Sequence, residues 1–374
     1  MKVGLVLGGG GVMGGAWLTG GLDALARETG WDPAEADYVV GTSAGSMIGA
    51  LCASGIPPWF MVAHSMGESF EEVLDAHGRP AAEADRSAGA VFRVRHPPSI
   101  GPGSWRLALR SLSNPTRYPA ATVLSGWLPS GMVSTEPLSE QIRRVVPEGW
   151  GPHPNLWIVA CDYATGKRVA FGRQDAPEAD LADAVAASCA IPGFYRPVTI
   201  AGHRYVDGGI RSASNLDVLR GRGLDLVICL NPTSTLHPVR AAVNPSAAFR
   251  LIMNRESGRR LGSEAKKLRA EGTDVILIQP TRDDLAVMGN NLMSGARRNE
   301  AIAMARKTVA AQLRDPRYGD LLEALPEGAP EKVRRPDEQP ARWPRLSELR
   351  ERVARRSNSG PGRDGSVSSR SERA

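Results

Sequence analysis

The chain has 374 residues and a mass of 39.9 kDa, enough for one large domain or two modest ones. Its 42% hydrophobic content excludes a wholly disordered protein, and no apolar run approaches the roughly 18 residues of a membrane-spanning helix. The net charge of +6 does not mark a nucleic-acid binder, because residues 331–374 carry twelve Lys/Arg against seven Asp/Glu and leave the body nearly neutral.

Val3–Leu7 reads as a buried first strand. Its apolar run breaks into four glycines with no helical signal-peptide core, so cytoplasmic synthesis is the expectation. A helix is predicted over 16–28, with Trp17, Leu18, Leu22 and Leu25 available for one face. Tyr38-Val39-Val40 is a second strand, and Ala44–Ala53 is a helix apolar nearly all round, which belongs against a sheet. Residues 57–130 are less regular. Helix-like 101–112 lies inside them, and such an insertion serves either as a lid or as packing. Its Trp59, Phe60, Met61, Trp105, Leu107, Leu109 and Trp127 are readable as core or as an apolar entrance meeting a membrane surface.

Regular elements then resume: a helix over 135–146, strands at 155–161 and Arg168–Phe171, and a helix over 178–188 stopped by Ile191-Pro192-Gly193. A small hairpin joins Val198–Ile200 to 203–206. Leu226–Leu230 and 275–278 are buried strands, with long helices at 245–270 and 294–313. Strands alternating with helices predict an α/β fold with a largely parallel sheet in one domain, residues 1–315. From 316 to 374 the composition shifts to a basic, Pro/Ser/Gly-rich tail, largely disordered. Cys52, Cys161, Cys189 and Cys229 are widely spaced in apolar surroundings and read as buried thiols.

Three motifs bear on chemistry. Gly41-Thr42-Ser43-Ala44-Gly45 puts a serine between a strand and a helix, framed by glycines. A sharp turn of this kind presents a side chain in a strained position above a helix N-terminus, although a buried helix cap has the same spelling. Gly8-Gly9-Gly10-Gly11 can aim several N–H groups at one anion. It lacks the Gly-Lys-Ser/Thr of a phosphate loop, and no acidic residue closes the next strand as a dinucleotide site requires. An oxyanion hole beside a nucleophile uses both glycine clusters. None of the six histidines, His64, His77, His96, His153, His203 and His237, occupies the late strand-end loop of a histidine-based triad. Asp207-Gly208-Gly209 follows a strand, and its carboxylate could take the Ser43 proton directly.

Taken in order, these motifs resemble the patatin-like phospholipase family. Leu5-Val6-Leu7-Gly8-Gly9-Gly10-Gly11, Gly41-Thr42-Ser43-Ala44-Gly45-Ser46, Ala187-Ser188-Cys189-Ala190-Ile191-Pro192-Gly193 and Tyr205-Val206-Asp207-Gly208-Gly209 carry the likeness over roughly residues 1–230, with a looser match to about 313. The resemblance implies a three-layer α/β/α fold. It also implies Ser43 as nucleophile, Asp207 as base, the N–H groups of Gly9, Gly10 and Gly11 as oxyanion hole, and supporting roles for Gly41, Gly45, Gly208, Gly209 and Asn215. No metal or cofactor is called for. The implied substrate is a phospholipid, lysophospholipid or related lipid ester, met in the cytoplasm or peripherally at the inner face of a membrane. Family members usually carry Arg or Lys where this chain has Met13. That departure leaves open a catalytically weak or inactive lipid-binding member, and it equally fits a hydrophobic plug fixing the loop.

Overall fold

The first strand, β1 (Val3–Leu7), is buried along its whole length, and its alternate side chains serve two different layers. Val3, Leu5 and Leu7 join one hydrophobic cluster and Val6 joins another. The computed structural model describes residues 1–68, 70, 73–80, 92–95, 97, 99–113, 118–235 and 245–336. Its further strands are β2 (Tyr38–Thr42), β3 (Arg93–Val94), β4 (Val133–Ser134), β5 (Leu156–Asp162), β6 (Arg168–Phe171), β7 (Val198–Ile200), β8 (His203–Asp207), β9 (Leu226–Leu230) and β10 (Asp274–Ile278). The helices are α1 (Gly11–Thr29), α2 (Ala44–Ala53), α3 (Pro58–Ser65), α4 (Trp105–Ser113), α5 (Ala120–Trp127), α6 (Glu136–Arg143), α7 (Leu181–Ser188), α8 (Pro245–Arg269), α9 (Arg282–Met288), α10 (Arg298–Leu313), α11 (Gly319–Glu323) and α12 (Pro330–Val333).

Eight strands form one mixed, mostly parallel sheet in the order β10-β9-β1-β2-β5-β8-β7, with β6 also on β5. The pairs β10–β9, β9–β1, β1–β2 and β2–β5 are parallel. The far side is antiparallel, where β6 and β8 pair with β5 and β7 with β8. Helices α1, α2, α7 and α10 supply the first cluster. Leu261, Ala265 and Leu268 of α8 cover the opposite face, and the result is the expected three-layer α/β/α arrangement. Among the described residues no helix is long and apolar enough to cross a membrane.

The register of β5 sets up the site. Thr42, the last residue of β2, pairs with Val159, and Asp207, the last of β8, pairs with Ala160. Because β6 holds the other edge of β5 at both positions, β2 and β8 share one edge. β8 therefore takes over from β2 where β2 turns away, and the two strand ends meet on consecutive residues of β5.

Several expectations shift. The first helix begins at Gly11 rather than 16, because its glycine-rich first turn is held by Gly14 N–H to Gly10 O and Met13 N–H to Leu292 O, both 2.9 Å. α9 went unpredicted, yet Thr281 and Asp284 close a capping box at its start. The variable stretch opens with a regular helix, α3, whose Trp59, Phe60 and Met61 are buried, as is Leu107 of α4. Trp105, Leu109 and Trp127 are exposed instead. The boundary at 315 also moves. Residues 316–336 pack on the body, burying Leu322, Leu325 and Val333, while the Trp59 indole donates to Glu331 O at 2.8 Å. The remaining tail, 337–374, lies outside the described residues.

Candidate active site

Ser43 leaves β2 with φ 53° and ψ −125°, a left-handed conformation that a non-glycine residue holds only when its surroundings enforce it. The constraints are visible. Ser43 N–H donates to Ser188 Oγ at 2.9 Å, and Ser188 Oγ donates in turn to Val159 O at 2.6 Å. Ser46 N–H and Ser46 Oγ both donate to Ser43 O. The flanking glycines are needed for close approach: a Cβ on Gly45 would overlap the Leu7 and Gly8 carbonyl oxygens, and one on Gly41 would meet Ser46 Cα at 2.5 Å. The serine thus caps α2, where the helix N-terminus favours negative charge.

Asp207 is buried at the end of β8. Burial pushes its carboxyl up to about 6 from an ordinary 3.8, while the neighbouring Ser43 hydroxyl and the Gly209 N–H draw it down. The Gly209 N–H reaches Asp207 Oδ1 at 2.7 Å, and Asp207 N–H donates to Ala190 O at 3.0 Å. Gly208 sits tightly against Val159 O, with no room for a Cβ.

Asn215 links the two halves. Its Nδ2 donates to Thr42 Oγ1 at 3.1 Å, just before Ser43, to Ser212 O at 2.6 Å, and to Gly208 O at 3.5 Å, just after Asp207. Its Oδ1 accepts from Arg168 Nη1 at 3.2 Å, and Arg168 Nη2 donates to Asp217 Oδ2 at 3.0 Å. Asp217 therefore holds the arginine behind Asn215. The sequence did not single out Ser188 or Arg168 as partners, since both contacts depend on how β5 and β6 are registered.

The glycine loop approaches Ser43 from β1. A Cβ on Gly9 would lie 3.8 Å from Ser43 Oγ. Gly9 departs from the expected set of oxyanion donors, because its N–H already donates to Ala213 O at 2.8 Å. No protein acceptor takes the N–H of Gly10 or Gly11 among the described hydrogen bonds, and Gly11 lines the cleft with Ser43. Met13 is buried in the main core, so its position packs the loop and offers no polar group to the cleft.

The cleft over Ser43 opens to solvent, and its walls are largely apolar: Met47, Ile48, Leu138, Ile191, Tyr195 and Met293. Cys189 also lines it, but burial pushes its thiol up to about 12, far from a working thiolate. Among the described residues no histidine lines this cleft. His153 is occupied elsewhere, with Nε2 2.7 Å from Ala36 O.

The family model described as patatin-like phospholipase matches residues 5–220. Among solved structures, the chain is similar to one titled "Crystal structure of VipD from Legionella pneumophila", with 17% identity and a TM-score of 0.39. That alignment covers 83% of this chain and 66% of the other, so the chain spans slightly less than two thirds of that protein's length.

Proposed function

The chain belongs to the patatin-like phospholipase family, and from that premise we propose that it is a serine acyl-ester hydrolase of lipid esters, with Ser43 as nucleophile and Asp207 as its base. The observation that carries this reading is the strained, cleft-lining Ser43 beside Asp207, a buried carboxylate that burial raises to about 6. A base of that strength is ionised at neutral pH and still accepts a proton in the transition state.

Asp207 takes the Ser43 proton as Oγ attacks the ester carbonyl carbon. The carbonyl oxygen becomes an oxyanion facing the free N–H groups of Gly10 and Gly11, aided by the N-terminal ends of α1 and α2. The carbon–oxygen bond to the alcohol then breaks, Asp207 protonates the leaving alcohol, and acyl-Ser43 remains. Water attacks the acyl carbon and gives a proton to Asp207. The bond to Oγ breaks, that proton returns to Ser43, and a fatty acid departs. Ser188 and Asn215 are positioning residues: the first holds the Ser43 backbone and the second spans Thr42 and Gly208.

The apolar walls suit an acyl chain, which favours phospholipids, lysophospholipids and related esters as the substrate class. Met13 does not weigh toward an idle, binding-only site, because its side chain packs in the core while the loop keeps two free N–H groups. The test is fatty-acid release from mixed phospholipid and lysophospholipid vesicles by the intact protein and by Ser43→Ala. Release that disappears in the variant is the expected result. Release that persists in Ser43→Ala contradicts the assignment of the nucleophile, and no release from either lipid contradicts the substrate class.

A further inference from the structure

The helices α4 and α5 expose large apolar side chains. Each turns them to solvent at i, i+4 and i+7 or part of that spacing: Trp105, Leu109 and Leu112 on α4, Leu124 and Trp127 on α5, with exposures between 40% and 64%. The buried face of α4 carries Leu107, Ala108 and Ser111, whereas α5 buries Thr122 and Ser125 and turns Leu124 and Trp127 outward. A helix covered only by water keeps its outward face polar, and contiguous exposed apolar side chains mark a contact surface.

Arginines border this face. Residues 86–135 contain six arginines and no Asp or Glu, and of these Arg93 and Arg95 pair with Glu140 and Glu136. Arg106 and Arg110 lie on the exposed side of α4 among its apolar residues. Among the described residues no carboxylate pairs with Arg106, and Arg110 Nη1 reaches Ala164 O at 3.5 Å. Tryptophan and leucine interleaved with arginine, as Trp105 and Leu109 are with Arg106 and Arg110, is the composition of a surface that lies in an anionic lipid interface.

The face is also tied to the catalytic end of the sheet. Leu107, on the buried side of α4, packs with Cys161, Val206 and Ile210, beside Asp207. Thr122 Oγ1 of α5 donates to Ile210 O at 2.8 Å. Beyond Trp127 the chain runs along the cleft wall: Val133 N–H donates to Phe194 O at 3.2 Å, and Val133 bridges to Tyr195, which lines the cleft.

We propose that the outward face of α4 and α5 is the surface on which the protein sits on an anionic phospholipid bilayer, holding the cleft toward the lipid. The choice of lipid as occupant rests on the hydrolase reading above together with the charge. The experiment measures co-sedimentation with vesicles of phosphatidylcholine alone and of phosphatidylcholine with phosphatidylglycerol. It compares the intact chain, Ser43→Ala, the triple variant Trp105→Ser/Leu109→Ser/Trp127→Ser, and the pair Arg106→Glu/Arg110→Glu.

The intact chain and Ser43→Ala are expected to bind, with preference for phosphatidylglycerol. The triple variant loses binding roughly tenfold or more, with an unchanged melting temperature because the replaced side chains face solvent. The charge-reversed pair loses the preference for phosphatidylglycerol. Absence of binding to phosphatidylglycerol vesicles, or equal binding by the triple variant, overturns the proposal. So does self-association that the triple variant abolishes while no vesicle binding is seen, which makes the face a protein contact. Vesicle binding by the intact chain without any fatty-acid release supports the surface and contradicts the reaction, while Ser43→Ala, which lacks the nucleophile, reads binding apart from turnover, so the two failures stay separate.

Discussion

Asp207 is held where its charge is costly and useful at once. Its folded value, about 6, lies above its ordinary 3.8, so between those values the native state keeps a proton that the unfolded chain has lost. Stability from this group therefore falls as pH rises through that window, by on the order of 2–3 kcal/mol once both states are ionised. Two outcomes follow. Hydrolysis should rise with pH on a limb centred near 6, as the pH dependence of kcat/KM would record. Asp207→Asn should abolish hydrolysis yet melt higher than the intact protein at neutral pH, with the gain shrinking toward about pH 4. Asn215 acts differently, since it bonds to Thr42 and Gly208, the neighbours of Ser43 and Asp207, and to neither of those two side chains. Asn215→Ala should lower kcat roughly tenfold or more while KM stays close to the intact value. A steady-state comparison separates that positioning role from substrate binding.

At the scale of elements, two strand ends meet because β5 passes from one partner to the next. Thr42 on Val159 and Asp207 on Ala160 bring together residues that are distant in sequence. The elbow itself depends on close packing of α2 against the end of β1. Gly45→Ala would drive a methyl into the Leu7 and Gly8 carbonyls, and urea unfolding should show a loss of about 3 kcal/mol or more. Much of this was legible in the sequence. A serine framed by glycines between a strand and an apolar helix, and an aspartate before two glycines, are local patterns with local causes. Short, nearly continuous apolar runs likewise marked the buried strands. What could not be read was tertiary. Ser188 beneath the Ser43 amide, Arg168 behind Asn215, and the Gly9 N–H engaged by Ala213 all depend on strand register. The start of α1 was missed because propensity disfavours its glycines, whereas packing against Leu292 and Pro232 selects them.

For the whole molecule, composition indicated a tail from 316 onward, but composition does not register a few leucines that find a groove. Leu322, Leu325 and Val333 are buried, and α12 is pinned through Trp59 Nε1 to Glu331 O and Lys332 Nζ to Gly55 O at 2.7 Å. A chain ending at Asp315 should therefore melt several degrees below one ending at Pro336, because it uncovers part of the main cluster. The same three-layer body carries Ser43 and Asp207 at the sheet's end, the apolar cleft over Ser43, and the exposed apolar face of α4 and α5. The most direct test of the central claim is mass-spectrometric mapping of the adduct left by a fluorophosphonate, which reports a nucleophilic serine without requiring the natural ester. The account predicts a single modified peptide containing Ser43, absent in Ser43→Ala and formed far more slowly in Asp207→Asn. Labelling elsewhere with Ser43 untouched, or labelling of Ser43 at an undiminished rate without the Asp207 carboxylate, would contradict it.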